Sequence, residues 1–173
     1  TTINEKAFNG CVALTSINLN NVNNIGNSAF NGCTSLIIDD LSLSNLTSLG
    51  TNAFYNTKIK KISNLGNIVS IPSSQHMFGK SLEELILPDS CINIGATGGY
   101  GPFEDNTNLT HVRLSPNTDM VGSRAFQNCT SLKKVDNLEE KVENHTTLIS
   151  NLSEKVENNT TLISNPSEKV KNN

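Results

Sequence analysis

The chain has 173 residues and a net charge of −3, with 35% hydrophobic, 17% charged and 5% aromatic residues. The hydrophobic share is low for a compact globule and the charged share is too low for a charge-rich disordered tail, so we expect a chain rich in turns. No basic block indicates a nucleic-acid partner, and no run of about 18 apolar residues could span a membrane. The chain opens at Thr1 inside a repeat, which indicates a piece of a longer protein.

A phenylalanine recurs about every 22 to 25 residues through most of the chain. An apolar ladder follows it, such as Leu14, Ile17 and Leu19 in the first unit, and the alternation that ends each ladder is typical of a β-strand. A turn and an apolar pair such as Ile25-Gly26 come next. The anchors are Phe8, Phe30, Phe54, Phe78, Phe103 and Phe126, and the later ladders contain Leu82, Leu85 and Leu87, then Leu109, Val112 and Leu114, then Leu132 and Val135.

Units of this length cannot bury their own apolar faces, but a series of units can, because each covers the next. We therefore predict a β-rich leucine-rich-repeat solenoid of about six units over residues 1–137. The phenylalanines should form one internal column.

Two stretches carry a family resemblance: "IGNSAFNGCTSL" at residues 25–36 and "VGSRAFQNCTSL" at residues 121–132. They resemble the BspA-type, or Treponema-type, leucine-rich repeat, and the similarity covers residues 3–138. It weakens in the third to fifth units, which lose the alanine or the cysteine. The resemblance implies a right-handed curved solenoid on surface-exposed proteins of bacteria and parasitic protists, several of them adhesins. It implies no catalytic residue.

Three cysteines share one repeat position, three residues after the phenylalanine: Cys11, Cys33 and Cys129. Cys91 lies elsewhere. No CxxC pair or nearby histidine indicates a metal site, so a buried thiol acting as a small apolar filler is favoured. A Cys11–Cys33 bridge between adjacent units stays open as the alternative.

Neither the glycines nor the histidines predict catalysis. The glycine-dense residues 95–101 lack the GK[ST] ending of a phosphate loop, so we interpret them as a lengthened turn between units. His76, His111 and His145 do not neighbour a nucleophile and an acidic residue in a triad pattern. We expect a protein that is not an enzyme and has no catalytic residue, cofactor or metal.

Polar residues between the ladder positions should point outward and form an extended binding face. Their charge alternates from basic to acidic to basic along the stack. A solvated sheet face with cross-strand ion pairs is the other interpretation. The candidate binding residues are Asn18, Lys60, Lys61, Glu83, Glu84, His111, Arg113, Lys133 and Lys134.

A shorter repeat follows, with "VENHTTLISN" at residues 142–151 and "VENNTTLISN" at residues 156–165. Its period of fourteen residues is two heptads, and β-branched residues occupy every a position. We predict a coiled-coil stalk over residues 138–173 with a kink or break near residues 165–166, where Pro166 enters. The predicted axial layers are Val142, His145, Ile149, Leu152, Val156, Asn159 and Ile163.

The segment "VENNTT" resembles the asparagine layers in stalks of trimeric surface adhesins and phage fibres. The resemblance implies a homotrimer and an axial anion, such as chloride, at Asn159. We therefore expect a solenoid head displayed extracellularly, at the cell surface, on a trimeric stalk, for adhesion to a host or cell-surface protein or glycan. A receptor-binding fibre on a virion surface and an intracellular protein–protein scaffold are the alternatives.

Overall fold

A computed structural model describes residues 1–136, which form a β-solenoid of about six turns. The boundary at residue 137 and every predicted axial layer from Val142 to Ile163 lie outside the described residues. Within the described part, no helix has the length and hydrophobicity needed to cross a bilayer.

Residues 1–136 contain eleven strands, which join into three parallel sheets. The main sheet has five strands in the order β11-β9-β7-β5-β3, and two short sheets have the orders β1-β2-β4 and β10-β8-β6. The strands are β1 (Thr2–Ile3), β2 (Asn24–Ile25), β3 (Ile37–Ser42), β4 (Ser48–Leu49), β5 (Lys58–Asn64), β6 (Ser70–Ile71), β7 (Glu84–Ile86), β8 (Asn93–Ile94), β9 (His111–Arg113), β10 (Met120–Val121) and β11 (Lys134–Asp136).

The apolar ladders build the inner side of the main sheet. The strand register aligns Leu41, Ile62, Leu85, Val112 and Val135 across all five strands. The three central members are fully buried, and their sequence neighbours point away from the core, as the period of a β-strand requires. The ladders predicted the strands of the fourth, fifth and sixth units.

The first ladder is an exception, because residues 14–19 form no strand. Five positions separate Leu36 from Leu41 in the second unit, whereas three separate Leu14 from Ile17 in the first. The two backbones therefore do not keep a common register, and β3 pairs with β5 alone. The prediction that Asn18 lies on a sheet face is wrong: its side chain accepts a hydrogen bond from the Asn20 backbone in a local turn, at 3.0 Å.

The six phenylalanines form the predicted internal column. Neighbouring ring centroids lie 5.1–6.1 Å apart, and the ring planes are within 3–16° of parallel. The four inner rings are fully buried, while Phe8 and Phe126 at the ends of the column are partly exposed. Each inner phenylalanine side chain is therefore shielded from water by its neighbours in the stack.

A second column lies three residues after each phenylalanine, where the cysteines recur. Cys33 donates a hydrogen bond through its Sγ to the Phe8 carbonyl oxygen at 3.1 Å, and Cys129 donates one to the Phe103 carbonyl at 3.2 Å. Desolvation raises the pKa of both thiols. All four cysteines are free, and the filler interpretation is wrong for Cys11, which is exposed.

Asn106 occupies the same column in the fifth unit. Its Oδ1 accepts a hydrogen bond from the Leu82 backbone at 2.8 Å. Its Nδ2 donates to the carbonyl oxygens of Phe103 at 3.1 Å and Gly79 at 3.3 Å. A fully buried amide thereby has its hydrogen-bonding capacity met by two adjacent units, which compensates for its desolvation.

Candidate binding surface

The main sheet assembles a central row of ionisable side chains on its outer side. The register places Asp40 opposite Lys61, Lys61 opposite Glu84, Glu84 opposite His111 and His111 opposite Lys134. Because the strands are parallel and in register, residues that are 21 to 27 positions apart in sequence become direct neighbours. Four of the predicted binding residues therefore lie in one row.

Ion pairs link four members of this central row, and Asp136, at the end of β11, completes the network. Lys61 Nζ lies 2.8 Å from Glu84 Oε2, and His111 Nδ1 lies 3.5 Å from Glu84 Oε1. His111 Nε2 is 2.6 Å from Asp136 Oδ2, and Lys134 Nζ is 2.8 Å from Asp136 Oδ1. The row is thus a network in which every basic group meets a carboxylate, which agrees with the cross-strand pairing interpretation.

This pairing shifts the acid–base properties of the row. The hydrogen bond from Lys61 lowers the pKa of Glu84, and His111 adds to the effect. Hydrogen bonds from Lys134 and then His111 lower the pKa of Asp136. The same Glu84 contact raises the pKa of Lys61. Both carboxylates and Lys61 are therefore held in their charged forms.

An outer row runs beside the central row: Lys60 lies inside β5, and Glu83, Thr110 and Lys133 directly precede β7, β9 and β11. The Glu83 backbone N–H donates to the Lys60 carbonyl at 2.7 Å, Thr110 donates to Glu83 at 3.0 Å, and Lys133 donates to Thr110 at 3.0 Å. The side chains of these four residues are exposed. Lys60 pairs with Asp39 at 2.7 Å, whereas Glu83 and Lys133 make no ion pair within residues 1–136.

The two rows border a shallow concavity of about 480 Å³. Asp39, Lys60, Lys61, Glu83, Glu84, Thr110 and His111 line it. Arg113 lies two residues beyond His111 at the end of β9 and pairs with Asp89 at 3.1 Å. We call the outer side of the main sheet, with both rows, the charged face.

The structure therefore brings together eight of the nine predicted binding residues and leaves Asn18 apart. Sequence reasoning missed Asp39 and Asp40, because the extra residues of the second unit hid its alignment with Lys60 and Lys61. It also missed Asp89, which lies in a turn and not in a ladder. In residues 1–136, no cluster of three or more His, Cys, Asp or Glu residues is placed to hold a metal ion.

A protein-family model described as "BspA type Leucine rich repeat region" matches the chain in six copies, over residues 1–133 and 96–152. The match includes the whole phenylalanine column and most of the charged face. Among curated proteins and among solved structures, nothing matches the chain.

Proposed function

This chain belongs to the BspA-type leucine-rich repeat family, and we propose that it is a surface-displayed adhesion module that binds a protein through its charged face. Repeats of this type are commonly non-enzymatic, protein-binding modules of surface-associated or secreted proteins. The observation that carries the proposal is the pair of charged rows, which five adjacent strands present on one face.

The charged face suits recognition because it is extended and exposed and its side chains alternate in charge. Stacked repeats use such faces as continuous binding surfaces. Alternating charges give specificity and speed association more than they add raw affinity. The central row is largely neutralised by its own ion pairs, so the outer row, with Glu83 and Lys133 free of ion pairs within residues 1–136, supplies the charges that a partner would meet.

The surroundings of His111 support a binding role rather than a catalytic one. Both ring nitrogens face carboxylates, Glu84 on one side and Asp136 on the other. A general base must instead lie within hydrogen-bonding reach of a nucleophile or substrate proton. His111 thus serves the ionic network of the central row.

We further propose that residues 138–173 form a homotrimeric coiled-coil stalk that presents three solenoids together. The sequence pattern supports this, with β-branched a positions and recurring polar layers such as Asn159. Linking three weak sites gains roughly 10²–10⁴ in apparent affinity without new contacts. On this basis the intact chain sediments as a trimer and residues 1–136 alone as a folded monomer; a monomeric intact chain at micromolar concentration would refute the stalk.

Charge reversal on the outer row tests the charged face. Labelled chain should bind cultured cells saturably, and protease treatment of the cells or high salt should reduce the binding. Glu83→Lys should weaken binding, whereas Asp119→Lys, the same charge change at an exposed residue outside the main sheet, should not. Equal binding by the two variants would show that the partner does not contact the charged face.

A further inference from the structure

We propose that a groove between Tyr55 and Tyr100 is a binding site for a neutral carbohydrate. The groove has a volume of about 440 Å³, and no residue that lines it belongs to the main sheet. This volume lies within the usual range for small-molecule sites, about 300–1,000 Å³. The proposal names a ligand class for the recognition role but does not rest on the charged face, so the two can fail separately.

The lining chemistry selects an uncharged, hydroxyl-rich ligand. No lining residue carries a formal charge, so an anionic or cationic ligand would lack a counter-charge. The groove instead offers amides from Asn31 and Gln75 and the hydroxyl of Thr51. Amides and hydroxyls both donate and accept hydrogen bonds, which is what the ring hydroxyls of a sugar require.

Both tyrosines of the chain line this one groove. An aromatic ring with a polar tip can pack against the C–H face of a sugar while its hydroxyl bonds to the edge. Tyr100 is 59% exposed, so its ring is accessible to a ligand. Within residues 1–136, no ring contact joins Tyr100 to Tyr55, so the space between them is open to a ligand.

The groove is held rigid on its Tyr55 side. The Tyr55 ring stacks on His76, with centroids 6.2 Å apart, and His76 is buried with its Nδ1 2.9 Å from the Glu104 carbonyl oxygen. Nearby, Ser74 Oγ donates to Asn52 Oδ1 at 2.6 Å and accepts a hydrogen bond from the Asn52 backbone at 2.8 Å. A preformed wall lowers the entropy that binding must overcome.

The glycines of residues 95–101 explain how Tyr100 reaches the groove. A Cβ atom at Gly99 would lie 2.6 Å from Ser73 Oγ and 3.0 Å from Ser73 Cβ, so a larger residue there would force either Ser73 or the turn that carries Tyr100 to shift. The Ser73 hydroxyl is buried beneath this turn and has no hydrogen-bond partner among the described residues. The lengthened turn therefore adds the aromatic side chain of Tyr100 to a wall that earlier units supply.

The test uses the full chain on an array of neutral oligosaccharides, with sialylated and sulfated oligosaccharides as the charged comparison. We expect binding to neutral members, followed by calorimetry with the best one. Tyr100→Ala should weaken that affinity by about tenfold, and Tyr100→Phe should retain most of it because the ring face is kept. Gln75→Ala, at an exposed residue, should also weaken it, whereas Glu83→Lys on the charged face should leave it unchanged.

Three outcomes would overturn the proposal. They are no binding of any neutral oligosaccharide at millimolar concentration, a preference for the charged members, and an unchanged affinity in both Tyr100→Ala and Gln75→Ala. Loss of cell binding in Glu83→Lys with intact oligosaccharide binding would support both proposed surfaces independently.

Discussion

Replacing Phe30 with alanine should destabilise the solenoid about twice as much as replacing Phe8. Phe30 is fully buried between two parallel rings, with centroids 5.2 Å and 5.1 Å away. Phe8 is partly exposed and has one ring neighbour, Phe30 itself. Truncating a buried phenylalanine costs roughly 3–5 kcal/mol, of which each stacked pair accounts for about 0.5–1.5 kcal/mol. With one pair and partial burial, Phe8→Ala should cost roughly half as much.

Urea unfolding followed by far-ultraviolet circular dichroism measures both losses. At a slope of about 2 kcal/mol per molar urea, a loss of about 4 kcal/mol lowers the midpoint by about 2 M. If Phe30→Ala does not fold, Phe30→Leu, which leaves a smaller cavity, gives the comparison. Equal losses for Phe8 and Phe30, or losses below about 1 kcal/mol for both, would refute the view that stacking between units carries the stability of the column.

Asn106→Ala should lower the free energy of unfolding by about 2–4 kcal/mol, because it removes three buried hydrogen bonds. Thr107→Ala, at an exposed residue, should lower it little, and urea midpoints measure both effects. Gly79→Ala should also lower the midpoint strongly, since φ is +74° and a Cβ atom would overlap a carbonyl oxygen of the preceding unit. Since ion pairs lower the pKa of Glu84 and Asp136 in the folded state, their stabilisation is present above the unfolded pKa values and is lost as the pH falls through the folded ones. The urea midpoint should therefore decrease as the pH is lowered below about 5. The double variant Glu84→Gln/Asp136→Asn should show a smaller decrease.

Much of the fold could be predicted because large apolar residues recur at the same position in each repeat. The spacing of the phenylalanines predicted a column that the structure confirms, and the ladder around Leu85 and Val112 predicted the central strands of the main sheet. Both signals depend on local spacing, which the sequence displays directly. The strand predicted at the first ladder does not form, because strand formation also depends on the neighbouring unit. That unit has extra residues between Leu36 and Leu41.

The candidate sites were harder to predict, because they depend on register between units. The pairing of Lys60 with Asp39 is invisible until the second and third units are aligned in space. The groove beside Tyr55 was harder still to predict, since its lining residues come from four successive units and one of them, Tyr100, lies in a lengthened turn. Cys11 and Cys33 share a repeat position yet differ in burial, because a neighbour covers one and not the other.

The near-constant distance between neighbouring phenylalanine rings has an evolutionary consequence. Each junction in the column stacks one phenylalanine ring on the next, so an in-frame duplication or loss of the DNA for one repeat preserves the ring-on-ring contact. Recombination within the gene would thus lengthen or shorten the solenoid by whole repeats while its phenylalanine column stays continuous.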